Sequence, residues 1–217
     1  MKNKFNPPSI STINILLLAY LGVGLFLFAI TILLNAYKIP FEYVSRNPES
    51  HFGIPIYAGL LQKIRVILWS ANMSICFFSY LVIKIYSNSS RVAKFIFYTA
   101  ILTFLLFIDD YFQIHSAFRL ILHIQNTFVY LAYAIYVLYV IYRFKEIIMS
   151  SEYKILILAC ILLGLAVILD LLSDTKLITS GKEEVFEASF KLFGVVTWTI
   201  YFVKFCFDNL KVLVLKS

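Results

Sequence analysis

Asp109 and Asp110 stand side by side at the end of the apolar run Phe95–Ile108, and His115 follows five residues on. Carboxylates and an imidazole gathered at such a place suit three kinds of chemistry: holding a divalent metal, taking and releasing a proton or cation, or closing a salt bridge between helices. Further ionisable groups recur at matching places in later apolar runs: Asp170 and Asp174, then Glu183, Glu184, Glu187 and Lys191, with His123 ahead of both sets. Arg65 precedes another such run.

The elements that must position these groups follow from composition. The 217 residues are 61% hydrophobic and only 14% charged, and the mean hydropathy is +0.87. Several uncharged stretches approach the ~20 residues a helix needs to cross a bilayer core. An open strand leaves backbone groups unpaired in lipid, and the runs are too continuous for the alternation of an outer-membrane barrel, so the spans are helices. The expected fold is all-α: a polytopic helical membrane protein of about six spans in one bundle. The spans cover residues 13–36, 66–83, 95–113, 120–142, 155–173 and 185–203, within a single membrane domain, 1–217. The first has the basic start of a signal, Lys2 and Lys4, but an apolar core longer than a signal's ~7–15 residues, and reads as a retained anchor. Tyr37, Tyr43, Tyr98, Tyr111, Tyr142, Tyr153 and Tyr201 lie near span ends, where amphipathic rings anchor at the interface.

With N- and C-termini on the cytoplasmic side, eleven of the nineteen basic residues fall inside, from Lys2 and Lys4 to Lys211 and Lys216, as the positive-inside tendency requires. Nine of the twelve acidic residues, and His51, His115 and His123, then share the outer side. The overall charge of +7 is therefore a property of the cytoplasmic surface, suited to anionic lipid headgroups and not to nucleic acid. Plasma membrane is the expected location. Short loops and the lack of a disulfide framework suit a bacterial inner membrane.

Helical spacing collects the polar groups into stripes. They are Arg65, Asn72, Cys76 and Ser79 on the second span, and Thr99, Thr103, Asp110 and Gln113 on the third. The fourth carries His123, Asn126, Tyr130 and Tyr133, and the fifth Ala159, Ala166, Asp170 and Ser173. The sixth carries Glu184, Glu187, Lys191, Gly194, Trp198 and Tyr201. Small and polar stripes face other helices, where close approach and interhelical hydrogen bonds are available. At ~1.5 Å per residue, Asp109 and Asp110 lie roughly 22–24 Å along the third span, below the outer interface, and Asp170 lies at a similar height.

The leading functional expectation is an outward-facing, partly buried acidic and histidine site that binds a cation or proton, for transport or cation-gated sensing. Asp110, Asp170, Glu187, His123 and His115 would supply ligands or proton acceptors, and Lys191 an internal counter-ion. Asp109, Asp174, Glu184 and Arg65 are secondary candidates. Adjacent side chains on a helix diverge by ~100°, so Asp109 and Asp110 cannot aim at one point; Asp110 shares the threonine stripe and is the inward one. Structural readings stand beside each role. Glu187 and Lys191 form an i,i+4 pair that can neutralise itself, and Glu183 or Glu184 can favour a helix start through the dipole.

Two other classes compete. An intramembrane metal-dependent hydrolase or lipid-headgroup transferase would use His115, His123 and Asp110 to hold a divalent metal such as zinc, with one position open for water. Hydrolases of the alkaline ceramidase and adiponectin-receptor type place an Asp and three histidines so. The chain resembles them only in the Asp near the end of its third span, and its sixth span has no histidine. A non-catalytic subunit, locked by its charges and engaging another membrane protein or a second copy, is the third class. Cys76, Cys160 and Cys206 are dispersed over three spans and read as small packing residues. Walker, dinucleotide, HExxH and GxSxG signatures are absent from the sequence.

Overall fold

The computed structural model describes residues 12–39, 53–55, 57, 59–87, 90–114, 126–174 and 182–216. Every regular element among them is a helix: α1 Thr12–Ala36, α2 Leu60–Tyr86, α3 Ser90–Phe112, α4 Asn126–Arg143, the single-turn α5 Lys145–Met149, α6 Tyr153–Asp174 and α7 Lys182–Lys216. Four of them, α2, α3, α6 and α7, are long and apolar enough to cross a membrane. The described apolar stretches of α1 and α4, Tyr20–Ala36 and Thr127–Arg143, are shorter.

The chain forms two compact units, residues 1–58 and 59–217. In the first, α1 ends in a turn in which Lys38 takes a left-handed φ of 55° and Ile39 N–H donates to Leu34 C=O at 2.9 Å. That bond satisfies one of the orphan carbonyls at the helix end.

In the second unit α2 packs on α3 and α7, α7 packs on α6, and α4 touches α3 and α6 more lightly. The buried residues of α2 are Arg65, Trp69, Asn72, Cys76, Ser79 and Ile83, spaced by three and four so that they form one stripe facing the bundle. Thr99 and Thr103 of α3 are equally buried. Each returns its hydroxyl to its own helix, to Phe95 C=O at 3.0 Å and Thr99 C=O at 2.9 Å, which lets a polar side chain sit in an apolar interior. The opposite faces carry exposed Leu, Ile and Phe, such as Ile67, Phe78, Ile161 and Phe193. This is the inside-out pattern that lipid-facing helices need.

α6 and α7 approach tightly at Gly194, where a Cβ would lie 2.8 Å from Leu163 Cγ and Cδ2 and 3.2 Å from its backbone N. Gly194→Ala should therefore destabilise by about 1–3 kcal/mol, overpacking outweighing the helix-propensity gain. At Gly164 nothing stands within 4 Å of an added Cβ, so Gly164→Ala should stabilise by roughly 0.5–1 kcal/mol. Opposite shifts of the two variants in an SDS-unfolding titration check both.

The observed helices run past two of the predicted span limits. α2 begins six residues before the predicted 66, because Lys63 and Arg65 belong to the helix instead of marking its end. The last span was expected to stop at Val203, yet α7 runs on to Lys216. Lys204 does not terminate it, because its ammonium pairs outward with Glu152 at 3.3 Å and Asp208 at 3.4 Å.

Candidate functional site: a paired polar layer

One end of the second unit gathers the ionisable groups of α2, α3, α4, α6 and α7. The guanidinium of Arg65 forks onto Asp110, Nε donating to Oδ2 at 3.1 Å and Nη2 to Oδ1 at 2.9 Å. Both side chains are largely covered, at 11% and 19% exposure. One turn earlier on α2, Gln62 Nε2 donates to the backbone C=O of Asp110 at 2.7 Å. That carbonyl is among the last four of α3, which have no partner within the helix, so α2 both neutralises and caps the end of α3. Gln113, just beyond, has a left-handed φ of 51°.

Tyr130 of α4 donates its hydroxyl to Asp170 Oδ2 of α6. The same hydroxyl stands within electrostatic reach of Asp109 and Glu187, and Asp109 also reaches Tyr133. Lys191 Nζ donates to Glu187 Oε1 at 2.6 Å along α7. Beneath this layer the interior closes on aromatic rings. Trp69 and Trp198 meet edge to face at 6.2 Å, Trp198 Nε1 donates to Thr103 Oγ1 at 3.2 Å, and the ring of Phe202, one turn on, packs against Trp198 at 4.8 Å, tilted by 51°.

Of the predicted site residues, the structure brings Asp109, Asp110, Asp170, Glu187, Lys191 and Arg65 to one level. It revises their parts. Asp110 was expected to be the inward carboxylate available for a ligand, and it is instead held by Arg65. Asp109, expected to be the less inward of the two, is the more buried, at 7% exposure. The reason is that α3 is covered on two faces: Asp109 lies seven residues from Leu102, on the same line, and Leu102 is itself 1% exposed. Lys191 takes Glu187 alone as its ion-pair partner among the described residues. Asp174 and Glu184 fall in α6 and α7, but their side chains, like His51, His115 and His123, lie outside the described residues.

The zinc set His115, His123 and Asp110 gains no support. Its carboxylate is engaged by a guanidinium, and among the described residues no three His, Cys, Asp or Glu are grouped to hold a metal.

Sequence reasoning missed Gln62, which sits three residues before Arg65 on what was read as loop, and it missed the indole of Trp198 as a donor. It also did not anticipate the opposite end. There Arg91 pairs with Glu146 at 2.5 Å, and Ser151 Oγ and Tyr201 Oη share a hydrogen bond of 2.8 Å. A cavity of about 440 Å³ opens between Ile147, Glu152, Lys204 and Asp208.

Four helices, apolar outside and polar within, are long and apolar enough to cross a membrane, which is compatible with a helical membrane protein. The chain belongs to the family described as Domain of unknown function (DUF8692), whose model matches residues 16–205. No curated protein and no solved structure matches it.

Proposed function

We propose that the chain is one membrane domain of six spans, with both termini on the cytoplasmic side of a bacterial plasma membrane and a basic face toward anionic headgroups. Its outer polar layer binds a proton and serves proton-coupled transport or pH-gated sensing. Asp170 with Tyr130 is the exchanging pair.

The observation that carries this reading is the Tyr130–Asp170 hydrogen bond, set within reach of Asp109 and Glu187. Arg65 and Lys191 are each engaged by another carboxylate, so the partner of Asp170 is a neutral hydroxyl. A hydroxyl can donate to the ionised carboxylate and accept from the protonated one. It therefore serves both states of an exchange. The aromatic floor of Trp69, Trp198 and Phe202 lies under the layer and favours sensing over an open conduit.

Infrared titration of the purified protein tests the reading. Wild type should show a carboxylic-acid C=O band that changes with pH, lost in Asp170→Asn and shifted in frequency in Tyr130→Phe. A band indifferent to pH, or unchanged in Asp170→Asn, sinks it. The reading then left is a non-catalytic subunit whose charges only fix its helices, which the two-pronged Arg65–Asp110 contact favours.

A further inference from the structure

The cavity at the end opposite the carboxylate layer has a volume of about 440 Å³, within the range of small-ligand pockets. Val92 lines it from the first turn of α3, Glu152 from just before α6, and Lys204 and Asp208 from α7. Lys204 lies 17 residues beyond Glu187, about 26 Å along α7, close to the ~30 Å of a hydrocarbon core. In a bilayer that crosses α7 between them, the cavity is at headgroup depth, in the leaflet away from the carboxylate layer.

The lining is rich in acceptors. Lys204 Nζ stands between two carboxylates, 3.3 Å from Glu152 Oε1 and 3.4 Å from Asp208 Oδ2. Both contacts are longer than the ~2.7–2.9 Å of a tight charge-assisted hydrogen bond, and one ammonium serves two negative charges. The hydroxyl protons are spent inside the protein. Ser150 Oγ donates to Ile147 C=O at 2.9 Å and Ser151 Oγ to Ile148 C=O at 2.7 Å, so in the 2.8 Å bond between Ser151 and Tyr201 the phenol is the donor. Asn209 Nδ2 is turned back to Phe205 C=O at 2.8 Å. Among the described lining residues Lys204 is the one cation. An incoming ligand must therefore bring N–H donors for the carboxylates, and an anion for Lys204 once it gives one of them up.

We infer that this cavity binds the headgroup of a phospholipid carrying a primary amine, its ammonium donating to Glu152 and Asp208 and its phosphodiester accepting from Lys204. Val92, Ile147 and Phe205 give the cavity an apolar wall, beside which the acyl chains leave. A trimethylated ammonium has no N–H to donate, and an anionic headgroup without an amine meets a rim with two negative charges and one positive. The site rests on the reading of the chain as a membrane protein and is independent of proton exchange at Asp170.

Native mass spectrometry of the full-length protein in detergent, with short-chain phosphatidylethanolamine, phosphatidylcholine or phosphatidylglycerol added at equal concentration, tests the site. Wild type should hold one phosphatidylethanolamine per chain about tenfold more tightly than either other lipid, the scale of one hydrogen bond to a charged group. The double variant Glu152→Gln, Asp208→Asn should lose that preference, and Lys204→Met should weaken phosphatidylethanolamine about tenfold. The three side chains are about half exposed, and ion pairs so placed add little to stability, so the variants fold. Equal binding of the three lipids by wild type, or a preference that survives the double variant, overturns the site. Free phosphoethanolamine bound as tightly as the lipid overturns the lipid assignment. Flotation of wild type with phosphatidylcholine vesicles separates the two readings: a chain that does not float loses both, and one that floats without headgroup preference loses the site alone.

Discussion

Replacing Arg65 by Ala should lower the stability of the protein by about 3–5 kcal/mol, seen as an SDS-unfolding midpoint far below that of wild type. The loss comes from what is left behind. The Asp110 carboxylate is largely covered, and without the guanidinium it is left without its partner at a place where water cannot fully solvate it. The double variant Arg65→Met, Asp110→Leu should recover most of the loss, because apolar residues of similar volume remove both desolvation costs together. If the double variant is as unstable as the single, the ion pair is not what joins α2 to α3 at this end.

The second large effect is expected at Trp198, which is 3% exposed and bridges three helices. Its ring meets Trp69 of α2, its Nε1 reaches Thr103 of α3, and its own backbone belongs to α7. Trp198→Ala opens a cavity that neighbouring rings fill only in part and should cost about 3–5 kcal/mol. Trp198→Phe keeps most of the packing and should cost only about 1 kcal/mol, the lost hydrogen bond, since Thr103 retains its own bond to Thr99. Equal losses in the two variants would assign the whole effect to the hydrogen bond and refute the packing argument.

How legible these features were in the sequence depends on the distance over which they act. The α2 stripe of Arg65, Asn72, Cys76 and Ser79 was readable because helical periodicity is local and polar residues among Leu and Ile have one side to go to. Thr99, Thr103, Ala159, Ala166 and Gly194 were readable on the same ground. The end of α2 was not, because Lys63 and Arg65 look like the charges that bound a span until a carboxylate on another helix is seen to receive one of them. Asp109 was misjudged for a related reason. The threonine stripe marks one covered face of α3, and only the packing of α2 and α4 together shows that a second face is covered.

The 35 residues of α7 rise about 52 Å, well beyond a hydrocarbon core of ~30 Å, while α3 and α6 have 23 and 22 residues. The surplus is not shared between the two ends. Glu187 and Lys191 hold one end of α7 at the polar layer, whereas past Lys204 the helix still presents Phe207, Val212, Val214 and Leu215 outward. A bilayer that thickens can take up those side chains one turn at a time and match the helix without tilting it, at a cost of only fractions of a kcal/mol per Å. On the proposed placement in a bilayer, the mismatch reserve of this protein would lie in a single leaflet, and the carboxylate layer would keep its depth as the membrane around it changes.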